Sequence, residues 1–173
     1  KYKMTILPWA RAYSYALKKP NYGVFGTART KKREELFEWI GPLSKARWVL
    51  FSKPYSDIEI EKFADLKKYR IGGYVDDGRT KFLEQRGIKV HTVDNNALNI
   101  RKLMKGRIDL WVSGDLTGRK IARENGVKGL NEVYVIKEVS IYIAINKKSS
   151  KRAIESLKKA ARNSLTNGQL VEQ

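Results

Sequence analysis

The chain of 173 residues contains no cysteine and a single histidine, His91. The lack of cysteine excludes a disulfide scaffold and any thiolate-bound metal. A catalytic triad would have to use His91, which lies in the alternating pattern Lys89-Val90-His91-Thr92-Val93 of a predicted strand. We therefore expect a structural role for this histidine. No window of 18 consecutive apolar residues occurs either, so the sequence predicts no membrane-spanning helix.

The signatures of the common enzyme classes are missing as well. The sequence has no metal-ligand cluster, no Walker loop and no Gly-x-Gly-x-x-Gly loop. Asp76 and Asp77 are adjacent carboxylates, but adjacent side chains on an extended chain point in opposite directions. The sequence therefore predicts a protein that is not an enzyme and that needs neither metal nor cofactor.

Positive charge is what the chain has in excess. Lys and Arg number 36 against 18 Asp and Glu, a net charge of +18. The balance is +8 in residues 1–52, +5 in residues 53–138 and +5 in residues 139–173. Such a charge attracts polyanions, so nucleic-acid binding is the rival interpretation from another functional class. No nucleic-acid-binding motif is recognisable, and we expect no nucleic-acid partner.

From Tyr69 onward the chain alternates strand and helix patterns, which favours βαβ units and a mostly parallel sheet. The predicted strands there are 69–75, 89–93, 108–112 and 132–136, and the predicted helices are 79–86, about 96–106 and 116–124. In the second of these helices, about 96–106, we expect Leu98, Ile100, Leu103 and Met104 to face inward. The flanks predict strands 2–7 and 22–28, a helix from Pro8 to about Leu17, extended runs 48–52 and 140–146, and a helix 150–164. That last helix should bury Ala153, Leu157, Ala160 and Ala161 and end at Asn167-Gly168.

Several segments resemble one family, the family-3 extracellular solute-binding proteins of ABC transporters, which include the polar amino-acid receptors. The resemblance is carried by Leu7-Pro8-Trp9-Ala10-Arg11, by Gly26 to Glu34 followed by Phe37 to Pro42, by Gly106-Arg107-Ile108-Asp109, and by the closing helix from Ser156 to Leu170. The most specific segment is Gly26 to Glu34, which is similar to the family's "T-x-x-R" motif.

The resemblance implies a two-lobed α/β fold of the periplasmic-binding-protein type 2, each lobe a mixed, mostly parallel sheet flanked by helices. Lobe 1 would comprise residues 1–52 and 139–173, and lobe 2 residues 53–138, joined by two hinge strands. Because the family's opening strand-helix unit would precede Lys1, we expect lobe 1 to be incomplete at its N-terminus.

The implied function is capture of a small polar ligand, an amino acid or a related carboxylate, in the interlobe cleft. A monomeric receptor would then deliver this ligand to the membrane permease of an ABC importer. The implied location is periplasmic or extracellular, with any signal segment absent from this chain. The alternative from within the same fold is the extracytoplasmic receptor lobe of a sensor.

In lobe 1 the first candidate for ligand binding is Arg33, because a planar guanidinium offers two parallel donors to a carboxylate. By resemblance it is the family's carboxylate-binding arginine; the alternative is a solvated base. Thr30 would assist or cap the following turn. Arg29 and Arg11 are second candidates, and Arg11 lies near a helix start that favours anions. Trp9 would stack on the ligand or plug the helix start.

In lobe 2 the candidates are Asp76, Arg79 and Thr80, which join a predicted strand to a helix, and Asp115, which follows a predicted strand. Ligands of open α/β sheets bind at such strand ends. The carboxylates could hold an amino group, and Arg79 and Thr80 could hold an acid. The alternative is helix capping by Asp76, Asp77 or Asp115. The sequence departs from amino-acid receptors in this turn and at Ala28, where a hydroxylated residue is common.

Overall fold

A computed structural model describes residues 2–166 as a mixed α/β structure. The helices are α1 (Trp9–Lys18), α2 (Gly78–Glu84), α3 (Asn96–Met104), α4 (Asp115–Glu124) and α5 (Lys151–Thr166), with 3-10 helices at Lys31–Leu36 and Phe63–Lys68. The strands are β1 (Gly23–Ala28), β2 (Phe37–Ser52), β3 (Ile71–Tyr74), β4 (Val90–Val93), β5 (Leu110–Gly114) and β6 (Asn131–Asn146).

The chain forms two compact units. Unit 1 comprises Lys1–Lys45 and Val139–Gln173, and unit 2 comprises Ala46–Glu138. The long strands β2 and β6 each run from one unit into the other. The functional lobes and the hinge role of these strands stay predictions.

Unit 2 is built around a sheet covered on both faces. β3 pairs in parallel with β4 and with β5, and β2 pairs antiparallel with β5. Successive side chains of a strand point to opposite faces, and the core follows this rule. Phe51 and Trp111 pack with α3 and α4 on one face, whereas Leu50 and Leu110 pack with α2 on the other.

Two glycines of β3 allow the helices of unit 2 to approach the sheet closely. A Cβ on Gly72 would lie 2.4 Å from Ile108 Cδ1 and 2.7 Å from Asn99 Oδ1, and one on Gly73 would lie 2.5 Å from Thr80 Oγ1. Any side chain there would push α2 and α3 away from the sheet. This close packing fixes the loop between β3 and α2.

Unit 1 packs two helices against the antiparallel pair of β1 and β6. Ala16 of α1 is fully buried against Val24 and Ala144, and Ile154 of α5 packs on Ile145. Pro8 precedes the first residue of α1, where its fixed φ and missing N–H suit a helix start. This packing holds α1 beside the segment that carries Arg29 and Arg33.

The predicted α/β class with a mixed sheet flanked by helices is confirmed. Most predicted elements agree within two residues. Asn95 caps α3, its side chain accepting from Ala97 N at 2.9 Å. The predicted strands 132–136 and 140–146 are both parts of β6. Among the residues described, no helix has the length and apolar content needed to cross a membrane.

Some local predictions are wrong. Residues 2–7 form no strand, and Met4 and Ile6 are 83% and 99% exposed, because an alternating pattern makes a strand only beside a pairing partner. Leu98 is exposed since it lies about 200° around the helix axis from buried Ile100. Met104 is exposed at the last residue of α3.

In α5, Ala160 is exposed whereas Ile154 takes the buried position. The helix end predicted at Asn167-Gly168 lies outside the described residues, as does the end of the closing segment that carried the resemblance.

Candidate functional site

Five aromatic side chains form a continuous series in unit 1, which we call the aromatic wall. Centroid distances are 5.6 Å for Trp9–Tyr13, 5.3 Å for Tyr13–Phe37, 5.7 Å for Phe37–Trp39 and 5.9 Å for Trp39–Tyr142. Three elements contribute to the wall. Trp9 and Tyr13 are four residues apart on one face of α1, Phe37 and Trp39 are two apart on β2, and Tyr142 lies on β6. Most of these contacts are edge-to-face, the favourable geometry for aromatic pairs.

Arg33 lies against the first two rings of the wall. Its guanidinium carbon is 5.5 Å from the Trp9 centroid and 5.1 Å from the Tyr13 centroid. The side chain is half-buried, and its Nη1 donates to the carbonyl of Ala28 at 3.4 Å. Within residues 2–166 it has no carboxylate partner. The structure thus brings Trp9 and Arg33 together in a cation–π contact.

Arg29 lies at the other end of the wall, 5.8 Å from the Trp39 centroid and 5.6 Å from that of Tyr142. Unlike Arg33 it has an acidic partner. Arg29 Nε donates to Glu34 Oε2 at 2.8 Å, and Arg29 Nη2 donates to Glu34 Oε1. This hydrogen bonding raises the pKa of Arg29 and lowers the pKa of Glu34. An anionic ligand would compete with Glu34 for Arg29.

The contacts of the remaining two candidates of unit 1, Thr30 and Arg11, give less support for ligand binding. The side chain of Thr30 does not cap the 3-10 helix that follows; its carbonyl accepts from Arg33 N at 2.9 Å. Arg11 is exposed and lies about 200° around α1 from Trp9, so the structure does not bring it to the aromatic wall. The joint action of Arg11 and Arg33 has no geometric support, and the ligand role of each residue stays a prediction.

In unit 2, Asp77 caps α2 and binds Arg79. Asp77 Oδ1 accepts from Arg79 N and from Arg79 Nε at 2.7 Å each, and Asp77 Oδ2 accepts from Arg79 Nη2 at 2.6 Å. A Cβ on Gly114 would lie 3.0 Å from Arg79 Nη1, so this guanidinium also reaches the end of β5. The ends of the parallel strands β3 and β5 therefore meet at Arg79, as the fold rule for strand ends predicts.

The neighbouring candidates, Asp76 and Thr80, make other interactions. Asp76 adopts a positive φ of 57° and pairs with Lys81 Nζ at 2.7 Å in an exposed position. Thr80 is 2% exposed, and its hydroxyl donates to the Tyr74 carbonyl at 2.9 Å. The geometry favours a structural role for Thr80, because its single donor is already engaged with the backbone.

Asp115 belongs to a network of charged side chains. Arg47 Nε donates to Asp115 Oδ2 at 3.2 Å, and Arg47 Nη1 donates to Glu132 Oε1 at 2.8 Å. Arg119 Nη2 donates to Glu132 Oε2 at 3.0 Å. The hydrogen bond that Arg47 donates to Asp115 is the main cause that raises the pKa of Arg47. A ligand's amino group at Asp115 would have to share or displace the Arg47 guanidinium, and the ligand role of Asp115 stays a prediction.

Sequence reasoning missed most of the residues that surround the candidates. The predicted ligand-binding residues did not include Tyr13, Phe37, Trp39 and Tyr142, nor Arg47 and Glu132. Some of them had a readable signal, since Tyr13 follows Trp9 at helical spacing and Phe37-x-Trp39 has strand spacing directly after the Arg33 segment. No sequence signal links Arg47 with Asp115 and Glu132, because only the fold brings these three residues together.

No family model and no curated protein sequence matches the chain. Solved structures do match it. A mutant of ArgBP from T. maritima, a protein also solved in arginine-bound form, has a TM-score of 0.82 at 20% identity, covering 97% of this chain and 73% of that chain. A histidine kinase sensor domain with similarity to periplasmic binding proteins has a TM-score of 0.82 at 18% identity, covering 94% and 72%. The substrate binding protein of an amino acid ABC transporter has a TM-score of 0.77 at 18% identity, covering 97% and 75%.

At this level of identity the likeness shows the fold, which is the predicted periplasmic-binding-protein type. The assignment to family 3 of the solute-binding proteins stays a prediction.

Proposed function

We propose that this chain is a receptor that binds a small polar ligand with a carboxylate, such as an amino acid, and does not transform it. The observation that carries the proposal is Arg33, a half-buried arginine whose guanidinium carbon lies over the Trp9 and Tyr13 rings at 5.5 and 5.1 Å and which has no acidic partner among residues 2–166.

The other partly buried arginines show why this matters. Arg79 binds Asp77, and Arg47 binds Asp115 and Glu132, so their charges are already neutralised by carboxylates. The Trp9 and Tyr13 rings limit the movement of the Arg33 side chain, and a guanidinium that is already partly ordered loses less entropy when a carboxylate binds. The matching ligand group is a carboxylate bound through two parallel hydrogen bonds.

The structural neighbours support an amino acid as the first ligand class to test. They include arginine-bound ArgBP and the substrate binding protein of an amino acid ABC transporter. We also propose that the protein acts outside the cytoplasm and that it delivers the ligand to a membrane permease. In this proposal ligand binding shifts the population toward a closed form, with β2 and β6 as hinge segments.

A sensor is the second candidate function. The histidine kinase sensor domain matches this chain with the same TM-score, 0.82, as ArgBP. A receptor lobe that signals would use the same ligand chemistry, so the two functions differ in the partner and not in the site.

The test begins with native mass spectrometry of freshly purified protein to identify any small molecule that it carries. Protein that has been unfolded and refolded to remove such a molecule is then titrated with L-arginine, L-glutamine and agmatine, which is arginine without its carboxylate. We expect an amino acid to bind, to raise the melting temperature, and to be recovered chemically unchanged.

Arg33→Ala should lower the affinity for the amino acid that binds by about 100-fold, because an arginine–carboxylate pair is lost from a partly desolvated site. The affinity of Arg33→Lys should lie between that of the unmodified chain and that of Arg33→Ala, since lysine keeps the charge and loses the planar pair of donors. Arg123→Ala is the matched control, because Arg123 is an exposed arginine of α4.

The stability of the free protein should change little in Arg33→Ala, which separates a binding role from a structural one. If agmatine binding falls as much as amino-acid binding, Arg33 does not recognise the carboxylate. Undiminished amino-acid affinity in Arg33→Ala would refute the assignment.

A further inference from the structure

One face of unit 1 gathers six basic side chains with few acidic neighbours, and we call it the basic face. It consists of Lys18 and Lys19 at the end of α1, Lys147 and Lys148 in the turn after β6, and Lys151 and Arg152 in the first turn of α5. All six are exposed. Acidic residues near this face are Glu35, which pairs with Lys147 at 3.5 Å, Glu34, which also interacts electrostatically with Lys147, and Glu155 on α5.

Side-chain hydrogen bonds hold the three segments together. Asn146 Nδ2 donates to the carbonyls of Ala16 and Leu17 at 3.0 and 2.8 Å, which ties the end of β6 to the end of α1. Asn21 N donates to Ser149 Oγ at 2.8 Å, and Asn21 Oδ1 accepts from Ser150 N at 2.9 Å. The segments that carry the six positive charges are therefore held together, and a partner with negative charge would be attracted to them.

Apolar and aromatic groups lie among these charges. Leu17 and Tyr22 are 38% and 46% exposed. Lys19 Nζ lies 4.0 Å from the Tyr15 centroid, and the Tyr15 and Tyr22 rings meet edge-on at 5.6 Å. Exposed lysine, tyrosine and leucine side by side are typical of a surface that contacts lipid headgroups, where tyrosine bridges the polar and apolar layers.

We propose that the basic face docks unit 1 on a bilayer surface rich in anionic phospholipid, independently of ligand binding. Each lysine or arginine close to such a surface contributes to the attraction, and a group of four to eight is typical of membrane-binding segments. A single-stranded nucleic acid fits less well. Binding of that kind uses aromatic faces on which bases stack, and here the Tyr15 face is covered by Lys19.

The experiment measures co-sedimentation of the purified chain with vesicles of phosphatidylcholine alone and with vesicles of phosphatidylcholine and phosphatidylglycerol in equal amounts, at low and at physiological salt. The basic-face variant carries Lys147→Glu, Lys148→Glu and Lys151→Glu. The control variant carries Lys89→Glu, Lys105→Glu and Lys128→Glu, three exposed lysines of unit 2. Both variants change the net charge equally, so a difference between them reports position and not total charge.

We expect the unmodified chain to bind only the vesicles with phosphatidylglycerol and to bind less as salt rises. The basic-face variant should lose at least about 10-fold in affinity and the control variant less than about 3-fold. Circular dichroism checks that both variants fold.

If the two variants lost vesicle affinity equally, binding would depend on the total charge of the chain and not on the basic face, and the proposal would be overturned. Equal binding to both vesicle types would also overturn it. A third contrary result is tighter binding of a short DNA duplex than of the anionic vesicles, with the same loss in the basic-face variant, which would assign the face to nucleic acid.

Discussion

The two units of the molecule differ in their net charge and in the groups that their arginines contact. Unit 1 contains 17 basic and 5 acidic residues, a balance of +12, whereas unit 2 contains 19 and 13, a balance of +6. In unit 2 the partly buried arginines bind carboxylates, such as Arg79 with Asp77 and Arg47 with Glu132. In unit 1 the guanidiniums of Arg29 and Arg33 lie on aromatic rings, and Arg33 has no carboxylate among the described residues.

In the proposed function, this difference separates arginines that stabilise the fold from an arginine that recognises the ligand. A guanidinium paired with a carboxylate is neutralised within the fold, so removing either partner costs stability. A guanidinium held by rings is oriented but not neutralised, so it is free to bind a carboxylate from outside. Unit 2 has stacked cations too, such as Lys137 over Trp48 and Phe82, where burial lowers the pKa of the lysine. Arg86 of unit 2 also lies over a ring, that of Phe82 at 3.5 Å, but it is exposed, so the contrast depends on the partly buried arginines.

The largest expected effect on stability is that of Asp77→Ala in unit 2. The change removes the cap of α2 and leaves the guanidinium of Arg79, only 23% exposed, without its carboxylate. We expect a loss of about 2 kcal/mol in the free energy of unfolding, measured by urea denaturation.

Asp77→Asn is the matched control for this experiment. Asparagine caps a helix about as well as aspartate, so the variant keeps the cap and loses the ion pair. It should cost less than Asp77→Ala. Equal stability of Asp77→Ala and the unmodified chain would break the contrast between the units, because unit 2 would then not depend on its ion pairs.

Local chemistry explains which parts of the fold could be predicted. The ends of α2 and α3 were predictable because Asp77 and Asn95 satisfy helix N–H groups a few residues away, and the glycines at 87 and 106 follow those helices. The segment Tyr2 to Leu7 had a strand pattern, but pairing is a property of the neighbours that its own residues do not encode.

The candidate site divides in the same way. Arg33 was predictable from its motif, but its contacts with Trp9 and Tyr13 depend on how α1 packs. The carboxylates that Arg47 binds lie 68 and 85 residues further along the chain. No spacing pattern reaches across such a separation, so the charge network of unit 2 could come only from the structure.

A smaller effect is expected for Arg47, which binds two carboxylates at once. Arg47→Ala should cost about 1 kcal/mol, since Arg47 is 40% exposed while Asp115 and Glu132 are 15% and 14% exposed. In a double-mutant cycle with Asp115→Ala, the double variant should lose less stability than the sum of the losses in the two single variants. A coupling of zero would mean that Asp115 does not need Arg47, and would favour Asp115 as a ligand contact.

The smallest expected effect is a pH dependence at the exposed pair of Arg70 and Asp109 in unit 2. Arg70 Nη2 donates to Asp109 Oδ1 at 2.6 Å, and the Arg70 backbone N–H donates to Asp109 Oδ2 at 2.8 Å. The side-chain bond is the main cause that lowers the pKa of Asp109. Because the pKa is lower in the folded state, the carboxylate stabilises the fold above its ordinary pKa, and this stabilisation is lost as pH falls through the lowered value.

Asp109→Asn should therefore lower the melting temperature by about 2 °C at neutral pH, a modest shift because exposed pairs contribute little. The difference from the unmodified chain should shrink below about pH 4, where aspartate itself becomes protonated. Arg33→Ala in unit 1 serves as the comparison, since no carboxylate of the described residues depends on it and its effect on melting should not vary over this range. The contrary outcome is a difference in melting temperature between Asp109→Asn and the unmodified chain that stays constant with pH. The pair of Arg70 and Asp109 would then not stabilise unit 2 through its charge, and the contrast between Arg33 and the carboxylate-bound arginines of unit 2 would be weakened.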